Sequence, residues 1–137
     1  MLNFREFEAG PDPFGRKFQV YFKWLQTAIS IRHSDTVDVK FLLEEKRDNV
    51  EGSGEGEPPA RMAKTIAMQH ADLLKISRSI NRPMDDAWCA RLAVLHLWHL
   101  VETGEDMEKD LVTVPEPELA RYAAELAHLE EQQTHAA

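Results

Sequence analysis

Residues 17–43 constrain the fold more than any other part of the chain. Phe18, Val20, Phe22 and Trp24 occupy alternate positions, and Leu25, Thr27, Ile29 and Ile31 continue the alternation with opposite parity. A strand turns successive side chains to opposite faces, so one continuous apolar face requires an inserted residue; we expect a β-bulge between Trp24 and Leu25. The polar run 32–36 can turn the chain, after which Val37, Val39, Phe41 and Leu43 resume the alternation with Asp38, Lys40 and Glu44 outward. Setting Ile31 opposite Val37 places Ile29 against Val39, Thr27 against Phe41 and Leu25 against Leu43, all on one face.

Residues 2–8 can add a weaker strand, separated from this hairpin by the turn-forming run Gly10-Pro11-Asp12-Pro13-Phe14-Gly15. Residues 1–47 therefore read as an antiparallel meander of two or three strands, which needs cover on its apolar face to be stable. Residues 48–60 hold almost no large apolar group and read as a flexible linker.

Residues 61–133 read as helical, in three segments. The first, 61–81, gathers Met62, Ala63, Ile66, Ala67, Leu73, Leu74 and Ile80 on one face at 100° per residue, and Pro83 lies just beyond it. The second runs from an N-cap at Asp85 to Thr103, with Gly104 as its stop, and is apolar around nearly its whole circumference. It is expected at the centre. The third follows Thr113 and Glu116, which have capping-box spacing, and carries a narrow stripe of Leu119, Tyr122, Leu126 and Leu129. The expected fold class is α+β, in one domain spanning 1–137, consistent with 137 residues of which 43% are hydrophobic.

The first two helices, if they pair antiparallel about the 81–85 turn, bring His70 and His96 to the same height, with His99 one turn beyond. Imidazoles so placed could hold zinc or another transition metal, with Cys89 as a further candidate ligand, and would make the protein a metal-dependent enzyme or sensor. Set against that, core histidines commonly bond to backbone or to each other, and no cofactor is expected.

A second constellation is basic: Arg61, Lys64, Lys75, Arg78 and Arg82 fall within a narrow arc of the first helix. It could receive phosphates as a weak nucleic-acid site, but no aromatic platform interleaves it. The net charge of −8 is concentrated: residues 83–137 carry three basic and twelve acidic side chains, and 1–50 carry eight of each. The basic arc is therefore as well suited to attracting the acidic end of the chain.

Other chemistry is poorly provided for. The acids at 102, 105, 106, 108 and 110 lack calcium-loop spacing, the glycines at 52, 54 and 56 do not form a phosphate loop, and His33-Ser34-Asp35 are adjacent in a turn, where no relay can form. One cysteine cannot make an internal disulfide, the N-terminal residues do not have signal-peptide character, and no apolar run approaches bilayer length, so a cytoplasmic protein without membrane contact is expected. The leading expectation is a non-enzymatic protein that works by protein–protein association, as a homodimer, because the apolar hairpin and narrow-striped third helix exceed what one copy can cover.

Overall fold

The long hairpin is the centre of a five-stranded sheet. The structure, a computed structural model, describes residues 2–28, 35–46 and 60–135. Its strands are β1 (Glu6–Ala9), β2 (Lys17–Ala28), β3 (Thr36–Lys46), β4 (Arg61–Gln69) and β5 (Leu111–Val114), in spatial order β1-β2-β3-β4-β5. The first three pairings are antiparallel, and β5 joins β4 in parallel. That parallel step needs a crossover, supplied by α1 (His70–Ser79) and α2 (Asp86–Thr103); α3 (Glu116–His135) follows β5. The fold is α+β as expected, but with five strands in a mixed sheet and helices interleaved with the last two. Among the described residues no helix is long and apolar enough to cross a membrane.

Two details of the hairpin differ from expectation. The register shifts between Phe22 and Trp24, so Lys23 and not the Trp24–Leu25 step carries the irregularity. Trp24 consequently leaves the apolar face and pairs with Lys40, whose ammonium lies 5.8 Å from its ring. Beyond the shift Leu25 faces Val39 and Thr27 faces Val37, with Phe22 opposite Phe41 on the other side. The expected pairings of Leu25 with Leu43 and Thr27 with Phe41 are thus displaced by an even number of residues. Such a slip keeps every side chain on its face, so alternation alone cannot exclude it, and the length of the turn decides. Ile29 and Ile31 lie outside the described residues, as does the linker 48–60 except for Ala60.

The larger correction concerns 61–81, which is a strand followed by a helix. Met62, Lys64, Ile66 and Met68 face the same way as Leu43, Phe41, Val39 and Val37 of β3. Arg, Met, Ala, Lys and Gln are good helix formers, but β3 is a central strand with an unfilled edge, and pairing along it outweighs a local preference of a few tenths of a kcal/mol per residue. Val112, Thr113 and Val114 likewise form β5, so Thr113 does not cap α3; the N–H groups of Glu118 and Leu119 instead donate to the Pro115 carbonyl.

The second helix follows its sequence signals. Asp85 caps it by accepting the Trp88 N–H at 2.8 Å, and Gly104, at φ 77°, closes it in the left-handed conformation. α2 lies between the sheet and α3, which accounts for its apolar circumference: Trp88, Leu92, Leu97 and Leu100 are all sealed from solvent. α1 packs on β4 and α3, so the expected antiparallel pairing of the first two helices is replaced by α3 packing against both. One cluster of buried side chains runs through the inner face of the sheet and all three helices, including Phe18, Val39, Phe41, Ile66, Leu73, Leu92 and Leu119.

Candidate functional site

All three helices share cores with one face of the sheet, and among the described residues no element covers the opposite face. In β3 the inward residues Val37, Val39, Phe41 and Leu43 are 0–3% exposed, and their outward neighbours are all partly exposed. Cross-strand partners share a face, so the register identifies the outward set. One outward row is Tyr21, Leu42 and Ala63; the next is Trp24, Lys40, Thr65 and Leu111, the last 57% exposed. Tyr21, Trp24, Leu42, Ala63 and Leu111 therefore give the open face an apolar centre, with Lys40 beside the Trp24 ring within it. Charged groups flank it, and several are paired within the chain: Glu8 with Lys46 at 2.7 Å, and Glu44 with Arg61 at 3.4 Å.

A second opening lies on the helix side, where β1 and β2 pass the N-terminus of α2. Phe4, Phe22 and Leu25 with Arg5 and Asp86 line a groove of about 520 Å³. Its walls are fixed: the Phe22 N–H donates to the Arg5 carbonyl at 2.9 Å, Phe4 meets Phe22 edge-on at 5.3 Å, and Arg91 Nε donates to the Leu2 carbonyl at 3.1 Å.

The histidines separate. His70 opens α1 and donates its backbone N–H to the Asp35 carbonyl at 2.9 Å, taking no part in the group formed by the other two. His96 and His99 stack with ring centroids 6.2 Å apart. His96 is 3% exposed; its Nδ1 lies 2.8 Å from the Tyr122 hydroxyl and 3.4 Å from Glu118, and Nε2 is buried with no hydrogen-bond partner among the described residues. Burial pushes the His96 pKa below its ordinary value and His99 adds to that, against opposing pulls from Glu118, Asp106 and Glu105. His99 lies 3.3 Å from Glu105. Cys89 is buried, and desolvation, with Asp86 and Asp85 nearby, pushes its thiol up to about 12. Among the described residues no group of three or more His, Cys, Asp or Glu is arranged to hold a metal ion.

The basic residues do not share a helical face. Arg61 and Lys64 are in β4, Lys75 and Arg78 in α1, and Arg82 beyond it. Lys64 is 1% exposed, and its ammonium donates to the carbonyls of Asp106, Met107 and Lys109 at 2.9, 3.0 and 2.5 Å. Lys75 meets Glu116 at 2.9 Å and Arg82 pairs with Glu130, so two of the five hold the acidic α3 in place.

Sequence reasoning missed both openings. Outward Leu42, between Phe41 and Leu43 in an otherwise polar-outward strand, is the one signal that could have exposed the sheet face. The groove gathers residues from three separate segments and has no local signature. The chain matches no family model, no curated protein and no solved structure.

Proposed function

We propose that the protein is a non-enzymatic association module that pairs with a second copy of itself through the open face of the sheet. One observation carries this reading: the face has an apolar centre and no net charge, on a chain whose formal charge is −8. Outside the bulge, the outward positions hold four acids (Glu6, Glu8, Asp38, Glu44) and four bases (Lys17, Lys40, Lys46, Arg61). An apolar core within a charged rim is the ordinary anatomy of an interface. Strands spaced about 4.8 Å apart and rising about 3.3 Å per residue make this face roughly 600 Å² per copy, so two copies bury about 1,200 Å², the lower end for a stable dimer. A single cysteine, which leaves no internal disulfide framework, suits a reducing cytosol, where we place the protein.

Sedimentation velocity across a concentration series tests the pairing. Leu42→Lys sets a charge in the apolar centre and is expected to raise the dimer dissociation constant roughly 100-fold. Phe14→Ser, at a residue 84% exposed in the β1–β2 loop and away from this face, should leave it unchanged. A parent protein that sediments as a monomer throughout, or a Leu42→Lys variant as dimeric as the parent, would overturn the reading.

A further inference from the structure

The groove beside the α2 N-terminus differs from the rest of the sheet's inner face. Phe18, Val20, Val39 and Phe41 on that face are completely sealed, whereas Phe22 and Leu25, which continue the same row on either side of the bulge, remain part-exposed with Phe4 beside them. The opening is built into the fold: the 2–5 segment is tied to β2 and to Arg91, so the apolar floor does not depend on side chains finding their places after a ligand arrives. At about 520 Å³ it falls in the range of small-molecule sites.

Two charges border it, one of each sign and from different elements. Arg5 lies over the Phe4 ring at 5.7 Å, and no carboxylate among the described residues is within ion-pairing distance of it. Asp86 stands next to Asp85, whose side chain takes the capping role by accepting the Trp88 N–H, and the Asp86 side chain is exposed at the rim of the groove, open to a ligand. A purely apolar ligand would gain nothing from either group, and an anion or a cation would meet one friend and one opponent. A ligand with both charges and an apolar body satisfies all three parts of the groove.

We propose that this groove binds a small zwitterion with an apolar body, the chemistry of a free α-amino acid bearing an aromatic or branched aliphatic side chain. The carboxylate faces Arg5, the ammonium faces Asp86 and the side chain lies on Phe4, Phe22 and Leu25. The assignment is independent of self-association, since the groove is on the opposite side of the sheet from the open face.

Heteronuclear NMR titration of the full chain with L-phenylalanine, L-leucine, glycine, phenethylamine and 3-phenylpropanoate tests it. Phenylalanine and leucine should shift the amides of residues 4–5, 22–25 and 86. Glycine, which lacks the apolar body, and each singly charged analogue should bind roughly tenfold more weakly or worse. Arg5→Gln should weaken phenylalanine about tenfold without weakening phenethylamine, and Asp86→Asn should weaken phenylalanine likewise without weakening 3-phenylpropanoate. Both side chains are exposed, so neither variant endangers the fold. No shift with phenylalanine, or equal binding of the singly charged analogues that neither variant alters, would overturn the proposal.

Discussion

Replacing Lys64 by Met removes an ammonium that is almost wholly buried, and the structure allows the cost to be worked out. Three carbonyl oxygens, from Asp106, Met107 and Lys109, receive its three protons at 2.9, 3.0 and 2.5 Å. Hydrogen bonds from a charged donor contribute about 1.5–3 kcal/mol each, but taking the ammonium out of water costs several kcal/mol in return. Burial is the larger influence on its proton affinity, holding the Lys64 pKa below the ordinary lysine value although Asp110, Glu108 and Asp106 pull the other way. Methionine has nearly the same length, so the change removes gain and penalty together without opening a large cavity. The Asp106 carbonyl still accepts the Lys109 N–H at 3.0 Å, so what remains is the Met107 and Lys109 carbonyls without their donor, at about 1 kcal/mol each, or about 2 kcal/mol in all. For a chain of this size that corresponds to a fall of roughly 7 °C in Tm.

Urea denaturation followed by circular dichroism reads the difference directly, provided the slope with urea is the same in parent and variant. Loss should concentrate where the cradle holds the 104–110 turn against β4: the Thr65 N–H, which donates to the Asp110 carbonyl at 2.7 Å, should exchange with solvent much faster in the variant. Lys75→Met, the same exchange at an exposed ion pair, should leave the urea midpoint unaltered. A Lys64→Met protein within about 0.5 kcal/mol of the parent would refute the reasoning, because the Met107 and Lys109 carbonyls would then need no donor.

Three further outcomes follow from buried groups and tight turns. His96 is held neutral by burial while the unfolded chain titrates at the ordinary 6.5, so its contribution is fully present above pH 6.5 and is lost as pH falls toward its lower folded value; His96→Gln, which cannot titrate, should show a smaller fall in urea midpoint over that window, and identical profiles would count against it. Cys89, buried and with its thiol raised to about 12, should resist maleimide at pH 8 and react at the rate of global unfolding; rapid labelling of folded protein would contradict the packing of α2. Gly10→Ala would set a Cβ 2.7 Å from the Arg16 carbonyl at φ 114°, and thermal melts should show a loss of about 1–3 kcal/mol.

The sequence was readable wherever local pattern and tertiary context agreed. β2, β3 and α2 have strong periodicity and end signals that the final packing respects, so their existence and burial follow from alternation and capping alone. β4 is the instructive failure. Its inward positions alternate as Met62, Lys64, Ile66 and Met68, but a lysine among them breaks the pattern, and only the distant 106–109 carbonyls make that lysine acceptable inside. The expected histidine pair and basic stripe both rest on a helix over 61–69, a geometry that does not form. The pairing of His96 with Tyr122, and of Lys75 and Arg82 with α3, depends on how α3 docks, which no local pattern in the chain specifies.

The charge distribution also bears on how two copies can meet. The surplus of acid lies in residues 83–137, on α2, the 104–110 turn and α3, all on or beyond the helix side of the sheet, whereas the open face is neutral. Helix side against helix side would set two surpluses of like charge together, and open face against open face puts them at opposite ends of the pair. Salt separates this arrangement from a head-to-tail one, in which the acidic end of one copy seeks basic groups on the next. Screening weakens attraction between unlike patches, but it can only relieve the residual repulsion between two acidic bodies joined through a neutral apolar face. The dissociation constant of the pair should therefore hold steady or fall as sodium chloride is raised from about 0.05 to 0.5 M, across which the Debye length drops from roughly 14 to 4 Å. A pair that comes apart with added salt would place the contact on the charged groups and not on Tyr21, Trp24 and Leu42.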